Sequence, residues 1–336
     1  MRIAGLDLLR GIAVALVVLR HAFPSVFPGA GVVGVVMFFA LSGYLITGLL
    51  LGELDRDCRV DLRRFYLRRA QRLVPALLLL VVGVVVVTLL LDPLDDRDEL
   101  LRTVAVALTW TGNLPFDRGS EATFHLWTLA TEEQFYLVWP TLLAVAFVRR
   151  RVGLALALAG AASLAACVAT VLWLRESPDL AYALPTSWAG CFVIGAATRV
   201  LADRVVVPAR ALALGVPFAL LGLGILSVVP LRGHALTYLA GGPAIALLTA
   251  VLLLSWRTLT TVPGPALNAV VWLGTVSYAA YLWNYPLTLW LRPHLELAGP
   301  AAAALTVVAA ALSWRLVEGP VQRLQQRRRA REAVVA

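Results

Sequence analysis

Long apolar runs separated by short polar segments recur from one end of the chain to the other. They fall at about residues 5–24, 31–51, 73–91, 101–113, 126–148, 152–174, 182–201, 210–230, 236–255, 269–291 and 299–317. A bilayer core holds a helix of about 20 mostly apolar residues, and every run except the fourth is close to that length. Inside a bilayer the backbone must satisfy its own hydrogen bonds, so such runs predict helices rather than isolated strands.

The polar segments set the expected topology. Arginines cluster in Arg56–Arg72, Arg149–Arg151 and Arg323–Arg331, whereas Asp92–Glu99 is rich in acid. Basic loops favour the cytoplasmic side. With the N-terminus inside, every arginine cluster falls inside only if 101–113 does not cross, and its shortness agrees. The pattern therefore predicts an all-α, polytopic integral membrane protein of ten transmembrane helices with cytoplasmic N- and C-termini. The segment 92–125 becomes a long outer loop with a short amphipathic helix of its own. Met1–Pro24 superficially resembles a signal peptide, but Arg20 and His21 interrupt it and no convincing small-residue cleavage site follows. It is read as a retained first membrane helix. Residues 1–320 form one membrane-embedded domain, and 321–336 a basic cytoplasmic tail suited to anionic lipid headgroups.

Composition agrees and removes one function class. Of 336 residues, 60% are hydrophobic and 15% charged, and the mean hydropathy is +0.82. A soluble domain carries about a quarter charged residues. The net charge of +9 lies in short inter-helical segments, not in a patch, which argues against a nucleic-acid partner. Cys58, Cys167 and Cys191 have neither metal-ligand spacing nor a disulfide framework, and no metal site is expected.

Ionisable residues within membrane helices are costly and are candidates for function. Arg10 and His21 are eleven residues apart, three turns plus roughly 20°, so they share a helix face about 16 Å apart along the axis. A snorkelling arginine and an interfacial histidine are the plainer alternative. In HLWTLATEEQFYLVWP, helical spacing aligns His125, Thr128, Glu132 and Tyr136, while Glu133 points about 100° away. A carboxylate there can orient an imidazole for acyl transfer, or pair with an arginine of a neighbouring helix. In RRFYLRRAQRLVP, Arg69 and Arg72 are spaced to form one cationic face. Guanidinium pairs suit phosphates, although a positive-inside loop explains the charge equally well. Asn284, beside Trp283, Tyr285 and Pro286, needs a buried partner and is a candidate to line the same cavity.

These strings in this order resemble a known family. LDLLRGIAVALVVLRH, FFALSGYLITGLLL, FYLRRAQRLVP, HLWTLATEEQFYLVWP, SYAAYLWNYP and RLVEGP are similar to the motifs of the acyltransferase family three membrane proteins, from about Leu6 to Pro320. The resemblance implies a ten-helix core and transfer of an acyl group, usually acetyl, from cytoplasmic acyl-coenzyme A. No permanently bound cofactor is implied. The usual acceptors are hydroxyls of polysaccharides, peptidoglycan, lipid-linked sugars or glycosylated natural products, and the usual location is the bacterial inner membrane. By position, Arg10 and His21 match the family's arginine–histidine motif and Arg69 and Arg72 its paired donor-binding arginines. Glu132 and Glu133 match its acidic pair, and Ser42, Gly43 and Tyr44 its small-residue segment. Two departures stand out: Asn284 and Tyr285 occupy positions where the family often has histidine and tryptophan, and the given sequence carries no appended esterase-like segment.

The combined expectation assigns His21, Glu132 and Glu133 to catalysis and Arg10, Arg69 and Arg72 to the donor. Ser42, Tyr44, His125, Tyr136 and Asn284 are assigned to the cavity or acceptor side. His21, oriented by Glu132 or Glu133, takes the acceptor proton, or forms an acyl-imidazole. A polytopic transporter and a catalytically inactive scaffold are the rival classes.

Overall fold

The structure is a computed structural model, and it describes residues 3–114, 117–204, 207–321 and 323. Among these residues all regular structure is helical. Twelve α-helices follow in order: α1 Ala4–Ala22, α2 Ala30–Asp57, α3 Leu62–Leu90, α4 Leu100–Thr109, α5 Trp127–Val148 and α6 Val152–Trp173. The second half comprises α7 Ala189–Ala202, α8 Ala209–Val228, α9 Gly242–Trp256, α10 Pro265–Thr275, α11 Ser277–Leu291 and α12 Ala298–Ser313. Six helical segments are long and apolar enough to cross a membrane: Ala30–Asp57, Leu62–Leu90, Val152–Trp173, Arg210–Val228, Thr237–Trp256 and Ala298–Val321. The basic tail expected from 321 onward lies, apart from Val321 and Arg323, outside the described residues.

The short run 101–113 becomes α4, whose ten residues reach only about 15 Å, half the hydrocarbon thickness. Asn113 pins this segment to α5 through a reciprocal amide pair with Gln134, at 2.8 and 2.9 Å. The run 269–291 corrects the sequence reading, because it is not one helix. It breaks at Val276 into α10 and α11. Both pieces are apolar, so hydrophobicity alone carries no trace of the break.

Helices α1 and α2 form the centre. α1 packs on α2, α10, α11 and α12, and α2 on α5, α7, α8 and α9. Hydrophobicity between helices supplies little drive in lipid, so close backbone approach does the work. Gly43 of α2 and Gly195 of α7 meet in this way: a Cβ on Gly43 would stand 2.0 Å from the Phe192 carbonyl oxygen, and one on Gly195 1.9 Å from that of Ala40. The periphery is apolar outward. Leu158 on α6 is 61% exposed and Leu214 on α8 75%, a surface that belongs against acyl chains and not water.

Candidate active site

Arg10 and His21 both lie on α1, an unbroken helix, so the expected vertical offset between them holds. They open into different cavities. The cavity at the N-terminal half of α1, the inner one within the bundle's order, is lined by Arg10, Ser42, Arg69, Arg72, Glu132 and Tyr136, among others. The cavity at the C-terminal end of α1, the outer one in the same sense, is lined by His21, His125, Arg20, Arg232, Arg292 and Tyr285 and their apolar neighbours. Each spans about 880 Å³ and is open to its surroundings. Val35 and Tyr281 line both, so a single layer of side chains separates them. Hydrogen bonds hold that layer: the Tyr281 hydroxyl donates to the His125 carbonyl at 2.9 Å and stands 2.7 Å from Thr128 Oγ1.

His21 lines the outer cavity, and its partner is Asn284 of α11. His21 Nδ1 and Asn284 Oδ1 are 2.5 Å apart. Donor counting assigns the protons. Thr306 of α12 donates its hydroxyl to the Ala302 carbonyl at 2.7 Å, so its oxygen can only accept, and it does so from Asn284 Nδ2 at 3.1 Å. The amide oxygen is thereby turned to His21, which must carry its proton on Nδ1. Nε2 keeps its lone pair. An imidazole in this tautomer is suited to take a proton or an acyl group.

The expectation that Glu132 or Glu133 orients His21 does not describe this geometry. Both glutamates stand one layer away. Arg69 donates to Glu133 Oε1 at 2.8 Å, which is the neighbouring-helix ion pair that the sequence left open as the alternative. The Arg69 guanidinium also stacks on the Tyr136 ring, 3.5 Å from its centroid. The Tyr136 hydroxyl in turn donates to Glu132 Oε2 at 3.1 Å, and Ser42 lies beside both. A guanidinium, an aromatic face and two carboxylates thus brace the inner cavity wall. Arg10 is paired with Asp7 at 3.6 Å. Among the described residues Arg72 makes no ion pair within 4.0 Å, although Glu318 of the RLVEGP motif is close enough to attract it.

Other candidates fall as follows. Asn284 and His125 are buried, at 1% and 5% exposure. Neither His125 ring nitrogen makes a hydrogen bond of normal geometry, although backbone at Ala122 and Leu282 lies nearby. Tyr44 is buried but lines neither cavity; Arg199 lies over its ring at 5.9 Å. Sequence reasoning missed Thr306, Tyr281, Arg20, Arg232 and Arg292. Arg20 was visible beside His21, whereas nothing in the α12 sequence marks Thr306. Among the described residues no cluster of His, Cys, Asp and Glu is arranged to hold a metal ion.

Comparison with known proteins agrees with the resemblance. Residues 3–317 match a family described as an acyltransferase domain. The peptidoglycan O-acetyltransferase OatA of Listeria monocytogenes is 30% identical over 96% of this chain and 56% of its own length. A putative peptidoglycan O-acetyltransferase, YrhL of Bacillus subtilis, is 30% identical over 95% of this chain and 55% of its own. The O-acetyltransferase OatA of Staphylococcus aureus is 38% identical over 44% of this chain and 25% of its own. The chain thus spans about half the length of the first two relatives. No solved structure matches. Apolar helices of spanning length, together with these bacterial relatives, make the chain a multi-pass protein of the bacterial cytoplasmic membrane.

Proposed function

The chain belongs to the acyltransferase family matched over residues 3–317, and on that premise we propose that it is a membrane O-acyltransferase. It moves an acyl group, acetyl in the first instance, from acyl-coenzyme A to a hydroxyl of a carbohydrate-containing acceptor. The observation that carries this reading is the pair of cavities with a shared wall, arginines in one and the Nδ1-protonated His21 in the other.

The reading assigns the donor to the inner cavity. Its phosphates meet Arg72, with Arg69 and Arg10 supporting the wall, and the thioester arm runs along Val35, Phe38 and Leu45 toward Tyr281. His21 Nε2 accepts the proton of the acceptor hydroxyl as that oxygen attacks the thioester carbonyl. The new C–O ester bond forms, the C–S bond breaks, and the proton leaves with the thiol. The Asn284 carbonyl accepts from Nδ1 throughout and stabilises the transient imidazolium. Ten crossings, with both termini and the arginine-rich loop at the cytoplasmic face, follow from loop charge and give the donor its entry side. The printed names of the Listeria and Bacillus relatives favour peptidoglycan, or a precursor of it, as acceptor.

The test is release of free coenzyme A from acetyl-coenzyme A by the purified protein in detergent, with and without glycan acceptors, comparing wild type with His21→Ala. Acceptor-dependent release lost in the variant supports the reading. Equal release in both removes His21 from the chemistry, and no release with any acyl chain or acceptor turns the assignment toward a transporter or scaffold.

A further inference from the structure

The outer cavity is strongly cationic, and catalysis by His21 does not require that. Arg20, Arg232 and Arg292 line it and lie close enough to repel one another. Only Arg232 is neutralised locally, by a two-pronged pair with Asp179 at 2.7 and 3.1 Å. Among the described residues neither Arg20 nor Arg292 makes an ion pair or a side-chain hydrogen bond. Arg118 lies over the ring of Phe124, a lining residue, and close enough to interact with Glu121 and Arg232. Three lining guanidiniums (Arg20, Arg232, Arg292) and Arg118 behind them are therefore set against two carboxylates (Asp179, Glu121).

A second observation points to a ligand. His125, 5% exposed, lines this cavity, and neither ring nitrogen makes a hydrogen bond of normal geometry, backbone at Ala122 and Leu282 being the nearest polar groups. A buried polar group without a partner is costly, as is a set of like charges sharing a partly desolvated site. A bound molecule carrying hydroxyls and a negative group relieves both. Aromatic faces of Phe124, Tyr182 and Tyr285 complete the lining, as expected for a sugar ring held by its apolar face.

We infer that the outer cavity selects an anionic acceptor, a glycan or glycoconjugate carrying a carboxylate or phosphate that docks on Arg20 and Arg292 while its reactive hydroxyl meets His21. Arg20 and His21 are consecutive, with Cα atoms about 3.8 Å apart. The negative group thus belongs to the acylated sugar or to its immediate neighbour. Guanidiniums hold such oxyanions in bidentate fashion.

This inference rests on the acyltransferase reading, but its test needs no turnover. The whole chain in lipid nanodiscs is titrated with three matched probes: a neutral N-acetylglucosamine tetrasaccharide, the same tetrasaccharide bearing one carboxylate, and the same bearing one phosphate. Binding is followed by saturation-transfer NMR. At least one charged probe binds about tenfold or more tighter than the neutral one, and whichever gains identifies the source of the charge. Arg20→Gln and Arg292→Gln each abolish that advantage and leave the neutral probe unchanged. If Arg20→Gln does not fold, Arg292→Gln, at the exposed end of α11, suffices. Equal affinity for all probes, an advantage that survives in the variants, or no binding of either charged probe overturns the inference. Charge selectivity without acyl transfer counts against the enzyme reading alone. Transfer to neutral and charged probes at equal rates counts against this inference alone.

Discussion

His21 Nδ1 lies 2.5 Å from Asn284 Oδ1, and 263 residues of chain separate the two. The contact joins the first helix to the eleventh. It gives Asn284 a definite geometry, because an amide oxygen can only accept here and so leaves one tautomer of His21.

Asn284→Ala removes that acceptor and frees the ring to rotate and exchange tautomers. A loss of about a hundredfold in kcat is expected, the lower end for an impaired general base, with KM for the donor unchanged. Steady-state kinetics with acetyl-coenzyme A checks this; a change confined to KM sinks the assignment.

Thr306 lines neither cavity, and its hydroxyl reaches His21 only by way of the Asn284 amide. Thr306→Val keeps the shape but removes the oxygen that holds the amide, and about a tenfold loss in kcat is expected, comparable to about 1 kcal/mol for one hydrogen bond. Thr306→Ser restores activity, whereas a packing role would leave serine as impaired as valine.

The Arg69–Glu133 pair, each side chain 18% exposed, gives a coupling prediction. Removing one partner of a largely buried pair strands the other charge, at a cost of about 3 kcal/mol. Arg69→Ala therefore lowers thermal stability more than the double variant Arg69→Ala with Glu133→Gln. Additive losses in detergent unfolding curves would contradict the pairing.

Arg72 is exposed and free of short ion pairs among the described residues. Arg72→Gln is expected to raise KM for acetyl-coenzyme A about tenfold, as loss of a charge-assisted phosphate contact does. The melting temperature stays unchanged. An unaltered KM removes Arg72 from the donor site.

The α2–α7 crossing leaves no room for a methyl group, since a Cβ at Gly195 would stand 1.9 Å from the Ala40 carbonyl oxygen. Gly195→Ala forces two backbones apart at a cost of about 3 kcal/mol, and the folded yield in membranes falls. Wild-type yield and melting would show that this crossing yields easily.

The sequence by itself determined the all-helical membrane class, because runs of about 20 apolar residues have one way to satisfy their backbone in lipid. It also marked Glu132 and Glu133, because adjacent carboxylates in such a run are costly, whereas Arg10, His21 and Arg69 gained their weight from the family resemblance, snorkelling and loop charge being adequate explanations of them otherwise. Tertiary structure alone decided which of these meet. It put His21 against Asn284 and Glu133 against Arg69, and it divided the polar residues between two cavities. It also split 269–291 at Val276 and brought Arg20, Arg232 and Arg292 from three separate segments to one cavity. Hydropathy carries the period and length of a helix but not its rotation or its neighbours. Those depend on where backbones approach, at Gly43 and Gly195 for instance, and on donor counts that close only when Thr306, Asn284 and His21 stand together.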